Sequence, residues 1–135
     1  EEFEVSPANP SPIRMTTSHS TLPLTIGESK TFKLRLQMAK GWHVNSNRPE
    51  NQYAVPLDIS LLGEGASLSV AWPESEQITS AGESVRVYGG TVEIPITITA
   101  TGKSDAQLMV TWQACNAELC LASETSQVPC NIIVK

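Results

Sequence analysis

An all-β sandwich of antiparallel strands is the fold this sequence predicts. Three features carry the prediction: apolar residues recur with period two, the apolar runs are short, and Gly-rich clusters separate them. No window of eleven residues carries a helical stripe, and no internal repeat or low-complexity segment is present.

Residues 1–19, with Pro7, Pro10 and Pro12 among Ser and Asn, show no period and are expected to be an N-terminal arm or linker, leaving 20–135 as one domain. The clearest strand follows: Phe32, Leu34, Leu36 and Met38 alternate with Lys33, Arg35 and Gln37, placing one set in a core and the other in water. Trp42 with Val44 gives a weaker strand. The alternation returns in Leu57, Ile59 and Leu61, in Leu68, Val70 and Trp72, in Val92 to Ile98, and in Leu108, Val110 and Trp112. Val128 with Ile132 closes the series weakly. Gly63-Glu64-Gly65, Gly89-Gly90 and Thr101-Gly102-Lys103-Ser104-Asp105 supply the turns. Pro95 lacks a ladder donor, so its strand is expected to lie at an edge or to carry a bulge. At most one helical turn fits around Ala117-Glu118-Leu119.

With 135 residues the chain is long enough for a single core without several disulfides to support it. Its 40% hydrophobic and 17% charged residues suit a soluble globular domain, and no apolar run reaches the ~20 residues of a membrane-spanning helix. A net charge of -5, with nine Lys and Arg scattered along the chain, argues against nucleic acid as a partner. The chain starts at Glu1 without a basic, apolar and small-residue leader, so a mature or truncated chain is expected, its targeting signal absent.

The candidate chemistry lies in the cysteines. Cys115 and Cys120 are close in sequence and Cys130 stands apart, so at most one intrachain bridge can form. Residues five apart point away from each other on a helix, so a bridge requires a turn or loop, which a strand-to-strand connection supplies. Closing so short a loop contributes only about 2 kcal/mol, so the bridge does little as a staple. Spacing alone leaves two readings level: a loop-closing structural disulfide and a reversible redox pair. A metal site built on the three cysteines and a histidine lacks the second close ligand pair that structural zinc uses. A thioredoxin-like fold is disfavoured for want of a Cys-x-x-Cys step. Cys130 shares the parity of Val128 and Ile132 and is expected to be a buried free thiol. His43 and Asn45 fall opposite Trp42 and Val44; His19 has less to mark it. Glu118 opposes thiolate formation, and no adjacent Lys or Arg favours it.

Gly41-Trp42-His43-Val44-Asn45-Ser46-Asn47, Val87-Tyr88-Gly89, and Val110-Thr111-Trp112-Gln113-Ala114-Cys115 through Cys120-Leu121 together resemble the N-terminal domain of the DsbD thiol:disulfide interchange family, over about residues 20–135. The resemblance implies an immunoglobulin-like sandwich in the bacterial periplasm, tethered to the inner membrane through a membrane-embedded domain of the same protein. It implies a protein-disulfide reductase that takes electrons from a thioredoxin-like domain and passes them to periplasmic thiol-disulfide proteins serving isomerisation or cytochrome c maturation. No organic cofactor or metal is expected. By position, Cys115 and Cys120 are the redox pair, Cys120 being the sulfur a partner attacks. Val87, Tyr88 and Gly89 match a loop that caps the pair, so that the segment from Val85 to Gly89 packs over it, and His43 and Asn45 match the site wall. Two departures are visible: four residues separate the cysteines where the best-known members have five, and Val87 stands where those members carry an aromatic cap residue. The rival reading is an immunoglobulin-like binding or adhesion domain with a purely structural Cys115–Cys120 disulfide.

Overall fold

A computed structural model describes residues 2–80, 82–103 and 105–135. Fourteen strands follow one another without a helix among the described residues. One layer is a five-stranded sheet in the order β1 (Phe3–Glu4), β2 (Ile13–Thr17), β4 (Ser29–Met38), β10 (Thr91–Ala100), β7 (Ala66–Val70). The other combines β13 (Glu124–Gln127), β11 (Gln107–Trp112) and β6 (Asp58–Leu62) with the sheet of β12 (Ala114–Cys115), β5 (His43–Asn45), β9 (Glu83–Gly89) and β8 (Glu76–Ser80). The run from β11 into β12 links these two sheets. Pairing in both layers is antiparallel; the exception is a parallel pair of β3 (Thr21–Leu24) and β14 (Asn131–Val134). The protein is an all-β, immunoglobulin-like sandwich.

Alternation explains the layers. Phe32 and Leu34 of β4 lie opposite Ile96 and Ile94 of β10, and these four side chains, with Leu36 and Ile98 of the same two strands, are buried in one core with Val44, Ile59, Leu108, Val110 and Trp112 from the opposite layer. Burying each such side chain contributes roughly 2 kcal/mol. Val128 and Cys130 join the same core, and Cys130 is a free thiol there. The Gly63–Gly65 cluster connects β6 to β7, and Gly90, at φ 68°, makes the tight step from β9 to β10. Of the turn expected over 101–105, Ser104 lies outside the described residues.

Two expectations change. The arm of residues 1–19, of which Glu1 lies outside the described residues, is part of the sheet: β2 pairs with β4 along its length, and Val5, Ile13 and Met15 are buried in the core. The short apolar set Ile13 and Met15, hidden between prolines and threonines, is sufficient once β4 supplies a partner edge. Pro95 is in an interior strand instead of an edge. Its carbonyl accepts from Ala71 N–H, and pairing with β7 begins only at Ile96, so the missing donor falls where β7 ends.

Candidate functional site

The site grows from the parity of the Leu108-to-Cys115 run. Leu108, Val110, Trp112 and Ala114 turn into the core, so Thr111, Gln113 and Cys115 turn to the opposite face. β12 pairs with β5, placing Cys115 across from His43 and Ala114 across from Val44; β5 pairs with β9, placing Asn45 across from Val87 and Val44 across from Tyr88. Cross-strand partners share a face. Cys115, His43, Asn45, Val87 and Val85 therefore lie on one face of the sheet, and Ala114, Val44 and Tyr88 on the core side.

Beyond Cys115 the chain reverses in a four-residue loop. Asn116 Oδ1 accepts from the backbone N–H groups of Glu118 (2.8 Å) and Leu119 (2.9 Å), the side-chain turn that asparagine favours and a competitor to the helical turn expected there. Asn116 N–H donates to Leu119 carbonyl and Leu121 N–H to Ala114 carbonyl, both at 2.8 Å. Cys115 and Cys120 thus oppose each other in an antiparallel bridge with Cα atoms 4.0 Å apart, and they form a disulfide. Such directly opposed, non-hydrogen-bonded positions bring Cα atoms closest in an antiparallel pair. The two cysteines are in unequal surroundings: Cys115 is only 3% exposed, whereas Cys120 stands in the exposed part of the loop.

A groove of about 270 Å³ opens beside the bridge, lined by both cysteines, His43, Asn45, Val85 and Gln113, with Asn51, Tyr53 and Ala54 from the β5–β6 connection and Ser80 and Glu83 from the β8–β9 hairpin. Burial holds the His43 imidazole below its ordinary value near 6.5, so at neutral pH it brings no positive charge to Cys115. Asn45, buried, donates through Nδ2 to Gln113 Oε1 and to Val55 carbonyl, each at 3.0 Å. Gln113 Oε1 also accepts from Val55 N–H at 3.3 Å. One amide pair thereby ties the cysteine strand to the β5–β6 connection.

The residues expected to cap the pair are placed differently. Val87, Tyr88 and Gly89 are the end of strand β9, two places from β12 in the sheet, and not a loop arching over the bridge. Val87 is buried in the cysteine-bearing face, and Tyr88 points into the core, its hydroxyl within hydrogen-bond distance of Asn47 Oδ1 (3.1 Å) and Pro73 carbonyl (3.0 Å). β5 pairs with Val87, Tyr88 and Gly89 and β8 with Glu83 to Val87, so the segment is held to the sheet by the β5 ladder, by the second partner of Val87 and by the buried Tyr88 ring. Of the segment from Val85 to Gly89, Val85 reaches the groove. Gln113 and Tyr53 were not foreseen. Gln113 shares the parity of Cys115 and was legible on that ground; Tyr53 sits in an aperiodic stretch with no such signal. On the far side of the hairpin, Asn9, Pro10 and Ser11 meet Trp112, Leu121 and Glu124 in a second cavity, and Asn9 donates from its backbone to Glu124 Oε1 at 3.0 Å.

No curated protein sequence matches. Among solved structures, the N-terminal periplasmic domain of ScsB from Proteus mirabilis superposes with a TM-score of 0.70 at 16% identity, covering 96% of this chain and 52% of that one, so the chain spans about half the length of that structure. A PapD-like domain of human CEP192 gives a TM-score of 0.44 at 12% identity over 97% of this chain and 94% of that domain. At these identities the likeness concerns the fold. The family of the thiol:disulfide interchange protein DsbD, N-terminal, matches residues 16–131, a span that holds both bridged cysteines and every groove residue described above, and the chain belongs to that family.

Proposed function

We propose that this domain is a thiol:disulfide exchange module acting as a protein-disulfide reductase, with Cys115 and Cys120 as its redox pair. The observation that carries the reading is the asymmetry of the bridge: one cysteine buried at the sheet face, the other an exposed residue at the end of a four-residue loop beside a groove. A partner thiolate attacks Cys120 Sγ, forming a mixed disulfide and breaking the Cys115–Cys120 bond. Cys115 leaves as a thiolate and takes a proton from water. The partner's second thiol then attacks the mixed disulfide and releases Cys120, so the partner is oxidised by two electrons and the domain reduced by two. The reduced domain delivers that pair to a second protein disulfide by the same steps in reverse.

Family membership supports a thioredoxin-like domain as donor, periplasmic disulfide proteins as acceptors, a periplasmic location, and attachment to a membrane-embedded domain of a longer protein. His43 and Asn45 form the wall beside the pair, and Val87, Tyr88 and Gly89 back it as a strand. With His43 held neutral and Glu118 inside the loop, the Cys115 thiolate lacks a nearby positive charge, so exchange is slow until a partner docks.

Trapping tests the roles. Cys115→Ser, which leaves Cys120 free, should form a mixed disulfide with a single-cysteine thioredoxin whose sulfur is activated as its thionitrobenzoate disulfide, releasing thionitrobenzoate, and Cys120→Ser should not. The reverse pattern would exchange the roles. Absence of an adduct from both variants, together with an intact bridge of potential below about -300 mV, would leave a structural disulfide.

A further inference from the structure

Six large hydrophobic residues are exposed among the described residues, and one of them, Tyr53 (75% exposed), lines the groove beside Cys120 from the β5–β6 connection. Leu119 and Leu121 flank Cys120 in the chain but alternate with it, and Leu121 lines the second cavity with Trp112 and Ala114. A single exposed hydrophobic is ordinary on a protein surface; Tyr53 is set apart by its place beside the cysteine pair and by how firmly its segment is held.

The segment that carries Tyr53 is held at both ends. Pro49 carbonyl accepts from Arg86 N–H at 2.9 Å, Asn51 Nδ2 donates to Glu83 Oε2 at 3.1 Å, and Asn51 Oδ1 accepts from Tyr53 N–H at 2.9 Å. Past Tyr53, Val55 is bound on both its N–H and its carbonyl by the Gln113 and Asn45 amides. Glu50, at φ 56°, occupies the left-handed region inside this segment, a conformation kept only where the surroundings impose it. An aromatic ring on a fixed loop is a low-entropy anchor for a protein partner. The charged groups of the rim are acidic: Glu83 lines the groove and Glu118 lies between the cysteines, while no Lys or Arg lines it.

We infer that Tyr53 is the docking anchor of the Cys115–Cys120 site, and that the groove it lines takes a partner protein whose nucleophilic cysteine stands on an apolar prominence with a neutral or basic fringe. The inference rests on the redox reading of the pair. The acidic rim disfavours an anionic surface as occupant. Gln113 and Asn45 hold the segment of Tyr53 in register with the cysteines, so the β5–β6 connection does here the partner-facing work that strand β9 is not placed to do.

The test compares second-order rate constants for reduction of the bridge by reduced thioredoxin and by dithiothreitol, in the parent chain and in Tyr53→Ser, Tyr53→Phe and the control Ile26→Ser, an exposed residue outside the groove (61% exposed). The ratio of the thioredoxin to the dithiothreitol constant should fall about tenfold for Tyr53→Ser, as expected for an interface anchor. Tyr53→Phe, which keeps the ring, should stay close to the parent ratio, and Ile26→Ser should leave it unchanged. A ratio unmoved in Tyr53→Ser, or both constants falling together, would overturn the anchor while leaving the redox pair intact. So would a homodimer of the parent chain that Tyr53→Ser dissolves, since the anchor would then belong to a second copy. A parent bridge that neither reductant opens would instead defeat the redox reading itself.

Discussion

Reducing the Cys115–Cys120 bridge should weaken the fold by about 2 kcal/mol, because the bridge closes a loop of only about six residues and chain-entropy loss in the unfolded state scales with the logarithm of that length. For a chain of 135 residues, an unfolding entropy near 2.1 cal/mol/K per residue turns this into a drop in Tm of about 7 °C. The folded state loses little else. Asn116 N–H to Leu119 carbonyl, Leu121 N–H to Ala114 carbonyl and the two bonds to Asn116 Oδ1 hold the hairpin without the sulfurs, and Trp112 and Ala114 stay packed in the core. The assay is urea unfolding of the oxidised chain and of the chain in dithiothreitol, followed by tryptophan fluorescence. A relay needs this outcome, since its reduced form must persist between partners. A loss above about 5 kcal/mol, the upper end for disulfides, or unfolding on reduction would refute the reasoning and mark the bridge as a staple.

Three further outcomes are expected. Cys130, buried and with its thiol pushed up to about 11, should resist alkylation at pH 8 in the native chain and react on denaturation, read by mass spectrometry; fast native labelling would contradict its place in the core. His43 has a folded pKa below its ordinary 6.5, so the unfolded chain binds more protons as pH falls, and stability should decline from about 6.5 down to the lower folded value. Urea unfolding at pH 7.5 and 5.5 should show this decline, and His43→Gln should flatten it. Gln113→Leu removes the acceptor shared by Asn45 and Val55 and leaves two donors short of a partner, which should cost about 1–3 kcal/mol and speed amide exchange at Val55. Unchanged exchange at Val55 would show that Gln113 does not hold the β5–β6 connection.

Much of the sandwich was legible in the residues because a half-buried strand writes its two faces into alternate positions. Phe32 to Met38, Val92 to Ile98 and Leu108 to Trp112 became β4, β10 and β11, with their apolar sets inward. The same parity, extended three residues past Trp112, places Cys115 opposite the core and Cys130 within it. Strands β2, β8, β9 and β13 were illegible for the complementary reason. Ile13 and Met15 make too short a run, and Glu76–Ser80 and Glu124–Gln127 are largely polar strands whose pairing comes from neighbours β9 and β11 and not from a pattern of their own.

By itself the sequence determined the period of the strands, the pair of cysteines near enough to bridge, and the motifs that place the chain in its family. Tertiary structure decided which cysteine is exposed and what stands beside it. The resemblance implies a cap loop at Val87-Tyr88-Gly89, yet Tyr88 buries its ring and all three residues pair with β5, so the segment settles into the sheet. Tyr53 carries no periodic signal, and it reaches the groove only because Asn45 and Gln113, 68 residues apart, meet across the pairing of β5 with β12 and bind the backbone of Val55. A contact between segments so distant is set by the register of the assembled sheet, which local alternation does not encode.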